Sequence, residues 1–333
     1  MLERSADLLH GGRLQPRDLE NLAAKLLFDR PPVRDHLVRF FVLLFLSTVI
    51  AAGGLIGNST AVVIGAMIVA PLMTPMMAAS LAIVIGDGSN IVRSVVIVGI
   101  GVIFVITVAA LMALIVPAGA RMTPEILART SPRLLDLVVA LAAGAAGAFA
   151  LGREDISDAL PGVAIAVSLV PPLAASGILL AARQPGLAGG AFLLFFTNFV
   201  AIVAAGVIVL ALMGYGAVAR RLEGGAARRN ASLVIVLATA LIVVPLGFTS
   251  YRVLTNDLLE REASSALSTW LTGTGYRVIS VSADDDTVDA EIAGDGTVPP
   301  MAALLTDLKH EGATATIKVH VLPEQTLTGS TPP

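Results

Sequence analysis

The chain has 333 residues, 56% of them hydrophobic and 14% charged, with a formal net charge of −3. Soluble domains carry nearer a quarter charged residues, so a membrane protein is expected, and without a concentrated basic surface nucleic acid is excluded as a partner. There is no cysteine, which removes disulfides, thiolate nucleophiles and cysteine metal sites.

Residues 1–39 form a cytosolic N-terminal segment with seven basic residues: Arg4, Arg13, Arg17, Lys25, Arg30, Arg34 and Arg39. A cleavable signal would already be in its apolar core there, so the first span is expected to serve as the insertion signal. Pro16 opens an amphipathic helix and Pro31–Pro32 close it, with Leu19, Leu22, Ala23, Leu26 and Leu27 on one face. The expectation is a helix packed on the bundle or lying at the bilayer surface, with a partner-binding helix as the alternative.

Charge-free runs mark a transmembrane domain over 40–250. About 20 apolar residues cross the hydrocarbon core, so the first run, Phe40–Gly86, holds two elements, divided at Gly57-Asn58-Ser59. Seven spans are expected, at 40–57, 60–86, 92–117, 134–152, 159–182, 188–214 and 231–250. With the N-terminus inside, the arginine and lysine count is 13 in inner regions against 6 near the outer face, which directs the C-terminal domain out of the cytoplasm. The expected location is the bacterial inner (plasma) membrane, with that domain periplasmic or extracellular.

The C-terminal domain, 251–323, is expected to be α+β in the order helix, strand, strand, helix, strand. Leu254–Leu271 has helical spacing. Arg277–Val281 and Val288–Ile292 alternate as strands around the turn Asp284-Asp285-Asp286, and Thr314–Val321 alternates again after a helix opened by Pro299–Pro300. That acidic turn reads as a solvated hairpin turn, since it lacks the ordered ligand spacing of a calcium loop. The tail, 324–333, reads as disordered.

An internal repeat is visible at a shift of 97 residues. Gly65, Ile68, Leu72, Pro75 and Ala78 of the second span fall on Gly162, Ile165, Leu169, Pro172 and Ala175 of the fifth. Both spans carry prolines, Pro71 and Pro75 in one and Pro161, Pro171 and Pro172 in the other. The repeat units are about 40–117 and 134–214, each of three spans, so the second enters the membrane the opposite way round: a 3+3 inverted repeat with an extra helix at 231–250. Irregular backbone at membrane depth survives only when buried or lining a wet cavity, and paired broken segments point to a transporter's binding site. Prolines that only kink helices for packing are the plainer alternative. Segments 60–86 and 159–182 also fit re-entrant hairpins, one turning at Pro71–Pro75, and the arginine count does not separate the two topologies.

The stretch Ser59-Thr-Ala-Val-Val-Ile-Gly-Ala-Met-Ile-Val-Ala-Pro-Leu-Met-Thr-Pro75, followed by Pro161-Gly-Val-Ala-Ile-Ala-Val-Ser-Leu-Val-Pro-Pro-Leu173, resembles an uncharacterised family of bacterial and archaeal hydrophobic membrane proteins, domain of unknown function 389. The resemblance covers roughly 40–182. It implies a multi-span membrane domain and supplies no substrate, reaction or catalytic residue.

The candidate substrate-binding residues are Pro71, Thr74, Pro75, Ser168, Pro171, Pro172 and Asn198. Thr74 and Ser168 are hydroxyls in the broken spans, and Asn198 is an amide near the bilayer centre, which is costly without a partner. Ser and Thr in such places often only bond back to their own helix. Asp136, at the start of span four and three residues after Arg133, is expected to pair locally with arginine, with a proton or cation ligand as the alternative. No Walker A, HExxH or GxSxG sequence and no intramembrane carboxylate pair occurs, so no catalytic residue, metal or cofactor is expected and the chain is not read as an enzyme. A secondary transporter or permeation pathway for a small polar solute or ion leads. The alternative is a membrane-anchored sensor or scaffold whose C-terminal domain binds an envelope protein partner. A homo-oligomer is expected through Gly53 with Gly57 and Gly186 with Gly190, whose spacing permits close helix approach.

Overall fold

The computed structural model describes residues 14–27, 33–116, 122–153, 169–222, 247, 251–252, 254–284, 287–295, 297–311 and 315–323. The chain divides into two compact units, Met1–Gly247 and Phe248–Pro333.

The first unit is helical. Helix α1 (Pro16–Leu26) takes proline in its first turn, where the missing N–H has no intrahelical partner to lose, and Asp18 Oδ2 accepts the Gln15 amide at 2.6 Å. Its predicted apolar face, Leu19, Leu22, Ala23 and Leu26, is buried in the same core as the bundle. Helix α2 (Val33–Ile56) begins ahead of its charge-free run, because a helix can continue past the hydrocarbon region with Arg34, Asp35 and Arg39 in its first turns. Then follow α3 (Thr60–Val69), α4 (Met73–Ile85), α5 (Gly88–Ile115), α6 (Pro124–Leu127), α7 (Leu134–Leu151), α8 (Val170–Ala181), α9 (Pro185–Leu212) and α10 (Tyr215–Leu222).

Among the described residues α2, α5, α7 and α9 are long and apolar enough to cross a membrane, and α3 with α4 passes the same test as one element bent by 49°. Their outer faces expose Val42, Phe45, Ile100, Ile103 and Leu114, as contact with lipid tails requires. The expected seventh span at 231–250 and the first half of the fifth lie outside the described residues.

The predicted span 60–86 is thus two helices. A bend of 49° across residues 70–72 redirects the chain, as in a broken span or a re-entrant loop. Polar contacts tie the helix ends. Thr123 Oγ1 donates to Leu55 O at 2.6 Å, the Glu125 amide donates to Asn58 Oδ1 at 3.2 Å, and the Thr60 hydroxyl donates to the Glu125 carboxylate. The start of α3 and the segment after α5 therefore meet at one end of the bundle. At the other end the Tyr215 hydroxyl donates to Gly152 O at 3.0 Å, and α1 packs on α4 and α10. Asp136 does not reach the Arg133 side chain. Its Oδ2 accepts the Arg133 amide at 3.0 Å, because a carboxylate in the first turn is placed to serve the backbone donor that precedes the helix.

The second unit is a three-stranded sheet with helices α11 (254–270) and α12 (Met301–Glu311). Strands β1 (Arg277–Asp284) and β2 (Thr287–Gly294) pair antiparallel, and β3 (Thr316–Pro323) lies parallel to β2 through the crossover that α12 supplies. Leu267, Trp270, Val288, Ile292, Leu304 and Leu308 form its core. Alternation sends Ser280, Ser282, Asp289, Glu291, Lys318 and His320 to solvent. Asp285 and Asp286 of the expected acidic turn lie outside the described residues.

Candidate functional site

Among the described residues, one apolar pair of helices is broken where α3 ends. Ten residues of α3 rise about 15 Å, half of a hydrocarbon core about 30 Å thick. Helix α3 stops because Pro71 cannot donate to a helix and disfavours a helical Ala70 before it. Ala70 is extended (φ −66°, ψ 125°), and its amide donates at 3.4 Å to Met67 O in place of the Ala66 carbonyl. The carbonyl of Ala66 is taken instead by Ser47 Oγ of α2 at 2.8 Å. Ser47 is wholly buried. It was not among the expected site residues, since a lone serine inside an apolar run gives no signal of what it meets.

Beyond the break, Met73 to Val84 of α4 are all buried except Thr74, and Val170 to Leu179 of α8 are buried throughout. Helices α4 and α8 each lie against both α5 and α9, at the centre of the unit. Val69, Ala70, Pro71 and Thr74 stay partly exposed between these buried stretches.

The expected site residues fall in three groups. Pro71 and Thr74 sit at the break, where the Thr74 amide donates to Pro71 O at 3.3 Å. Pro75, Pro171 and Pro172 are buried at helix starts: Pro75 is in the first turn of α4, and Pro171 and Pro172 are in the first turn of α8. A helix that starts inside an apolar core would leave its first amides unsatisfied, and proline there has none to leave. Asn198 lies in α9 and is 1% exposed, beside Thr197, whose hydroxyl returns to Leu193 O at 2.9 Å. Ser168 and Pro161 lie outside the described residues.

Two helix crossings hold this centre together. Ser80 Oγ of α4 donates to Met76 O (3.1 Å) and Val203 O (3.2 Å), and faces Gly206 of α9, whose added Cβ would stand 2.6 Å from that oxygen. Gly177 of α8 meets α5 so closely that a Cβ would stand 2.4 Å from Ile106 O and 3.1 Å from the Ala109 Cβ. Residues 80 and 177, 106 and 203, and 109 and 206 are each separated by the 97-residue shift seen in the sequence. The same shift carries the bounds of α5 onto those of α9, and left-handed Gly86 (φ 79°) onto left-handed Arg183 (φ 59°).

Of the four glycines read as an oligomer surface, Gly53 and Gly186 have open space around them. Gly190 faces inward, its added Cβ 1.9 Å from Thr130 O, so its smallness serves packing within the chain. Among the described residues no group of three His, Asp or Glu is placed to hold a metal.

The sequence profile of a domain of unknown function (DUF389) matches residues 67–204. An uncharacterized protein of Methanocaldococcus jannaschii is 32% identical over 173 residues, 52% of this chain and 53% of that protein. The chain thus spans about half the length of the curated relative it matches.

Proposed function

We propose, from the premise that residues 67–204 make this chain a membrane protein of the DUF389 family, that it is a secondary transporter or permeation pathway for a small polar solute or ion. The observation that carries the reading is the reciprocal pair of crossings, Ser80 with Val203 and Gly206, and Gly177 with Ile106 and Ala109. A contact between residue i and the partner of j, mirrored by one between the partner of i and j, is what two copies related by a pseudo-twofold axis produce. With α3 and α4 as one bent span and α8 as the second half of its counterpart, the favoured architecture is the 3+3 inverted repeat, with the N-terminus in the cytoplasm. In such proteins the site lies where discontinuous helices meet at the midplane. Partly exposed irregular backbone at 69–71 supports that placement, because bare carbonyls facing lipid cost several kcal/mol each. We place the C-terminal unit outside the cytoplasm on the arginine asymmetry, and read the chain as a homo-oligomer associating through the open face at Gly53.

The chain has no cysteine, so a single introduced thiol can be followed without background. Thr74→Cys in sealed vesicles is expected to react with a membrane-impermeant, charged thiol reagent, whereas Ala78→Cys, on the buried side of α4, is expected to stay unreactive. Failure of thiols at 70, 71 and 74 to react from either face of the membrane would rule out an aqueous path at the break.

A further inference from the structure

We infer that the solute taken at the α3–α4 break is a small cation, held by the carbonyl oxygens of Ile68, Val69 and Ala70 with the hydroxyl of Thr74. This rests on the permeation reading above and names its substrate class. The argument is a balance of donors and acceptors. Helix α3 ends at Val69 with its last carbonyls directed at the break, and the negative end of its dipole lies there. Of these, Ala66 O is taken by Ser47 Oγ and Met67 O by the Ala70 amide. Among the described residues the carbonyls of Ile68, Val69 and Ala70 accept no hydrogen bond. Val69, Ala70 and Thr74 are partly exposed, and Ile68 is exposed.

The donors are depleted where an anion would need them. An anion at a helix start is held by free backbone N–H groups. In α4 the amide of Thr74 is spent on Pro71 O, and Pro71 and Pro75 have no N–H, which leaves the amides of Leu72 and Met73, both buried residues. In α8 two consecutive prolines, Pro171 and Pro172, remove two more donors from the first turn. Prolines thus thin the donors at both helix starts, while three carbonyl oxygens at the end of α3 accept no bond among the described residues. Rings of backbone carbonyls can replace the hydration shell of a cation without any carboxylate, which fits a core whose described interior holds no acidic side chain.

The test uses the full-length protein in liposomes, with rubidium and chloride as the two probes and protein-free vesicles as background. Rubidium uptake well above chloride uptake is expected. Pro71→Ala restores an amide, lets α3 run on and draws the carbonyls into helical bonds. It is expected to lower rubidium uptake by roughly tenfold or more, in protein that elutes as a single species with unchanged helical circular dichroism. Chloride uptake exceeding rubidium uptake would overturn the cation assignment and leave the transport reading standing. Uptake of neither probe above background would overturn both. Unchanged rubidium uptake by folded Pro71→Ala would overturn the break as the site. Because the rubidium-to-chloride ratio is read on the native chain, the inference is tested even if the variant does not fold.

Discussion

At the scale of single residues, the centre of the bundle depends on atoms that are missing. Gly177 lets α8 approach the α5 backbone, and an added Cβ would stand 2.4 Å from Ile106 O. A main-chain oxygen inside a helix cannot step aside, so Gly177→Ala is expected to cost about 1–3 kcal/mol of stability. Gly206→Ala meets side-chain atoms instead, Ser80 Oγ at 2.6 Å and Met77 Cε at 2.9 Å, and these can turn away. Thermal unfolding of the two purified variants in mild detergent should rank Gly177→Ala below Gly206→Ala; the reverse order would show that the α8–α5 crossing is not the tighter one. Neither glycine stood out in the sequence among 31. What was legible was that Ser80 and Asn198 are polar residues in apolar runs; that Ser80 meets the Val203 carbonyl depends on a residue more than a hundred positions away.

At the scale of elements, apolar run length located the four long helices α2, α5, α7 and α9, since burying a backbone in hydrocarbon demands continuous hydrogen bonding. Span starts were less legible, because helix and hydrocarbon boundaries need not coincide, as α2 shows. The role of the prolines divided in two. Pro71 ends a helix, as expected from its sequence, while Pro75, Pro171 and Pro172 begin helices and so spare buried amides. Composition cannot tell these apart, because the difference is where the preceding turn stops. Ser47 and Tyr215 are among the buried side chains that hydrogen-bond between elements. Ser47→Ala would strip the cap from Ala66 O, and Tyr215→Phe would free Gly152 O at the end of α7. Each is expected to lower stability by about 1 kcal/mol, read as a lower unfolding midpoint in the same detergent; no shift in either would mean that water serves these carbonyls as well.

At the scale of the whole molecule, two units with separate cores should report separately on unfolding. The single tryptophan, Trp270, is 7% exposed and donates to Pro300 O at 3.2 Å inside the second unit. Tryptophan emission should therefore be blue-shifted and should move red with urea at a midpoint that belongs to the second unit. Helical circular dichroism, dominated by the first unit, should persist beyond it. Coincident transitions would mean that the two cores unfold as one cooperative body. The sequence by itself determined the membrane class, the helix and strand order of the C-terminal unit, and the 97-residue spacing, because each follows from composition or local periodicity. Only the tertiary structure decided that the second span bends and that α4 and α8 are central. It also decided that Ser47 and Ser80 close carbonyls on other helices. These facts depend on distances between residues far apart in the chain, which no local pattern of side chains encodes.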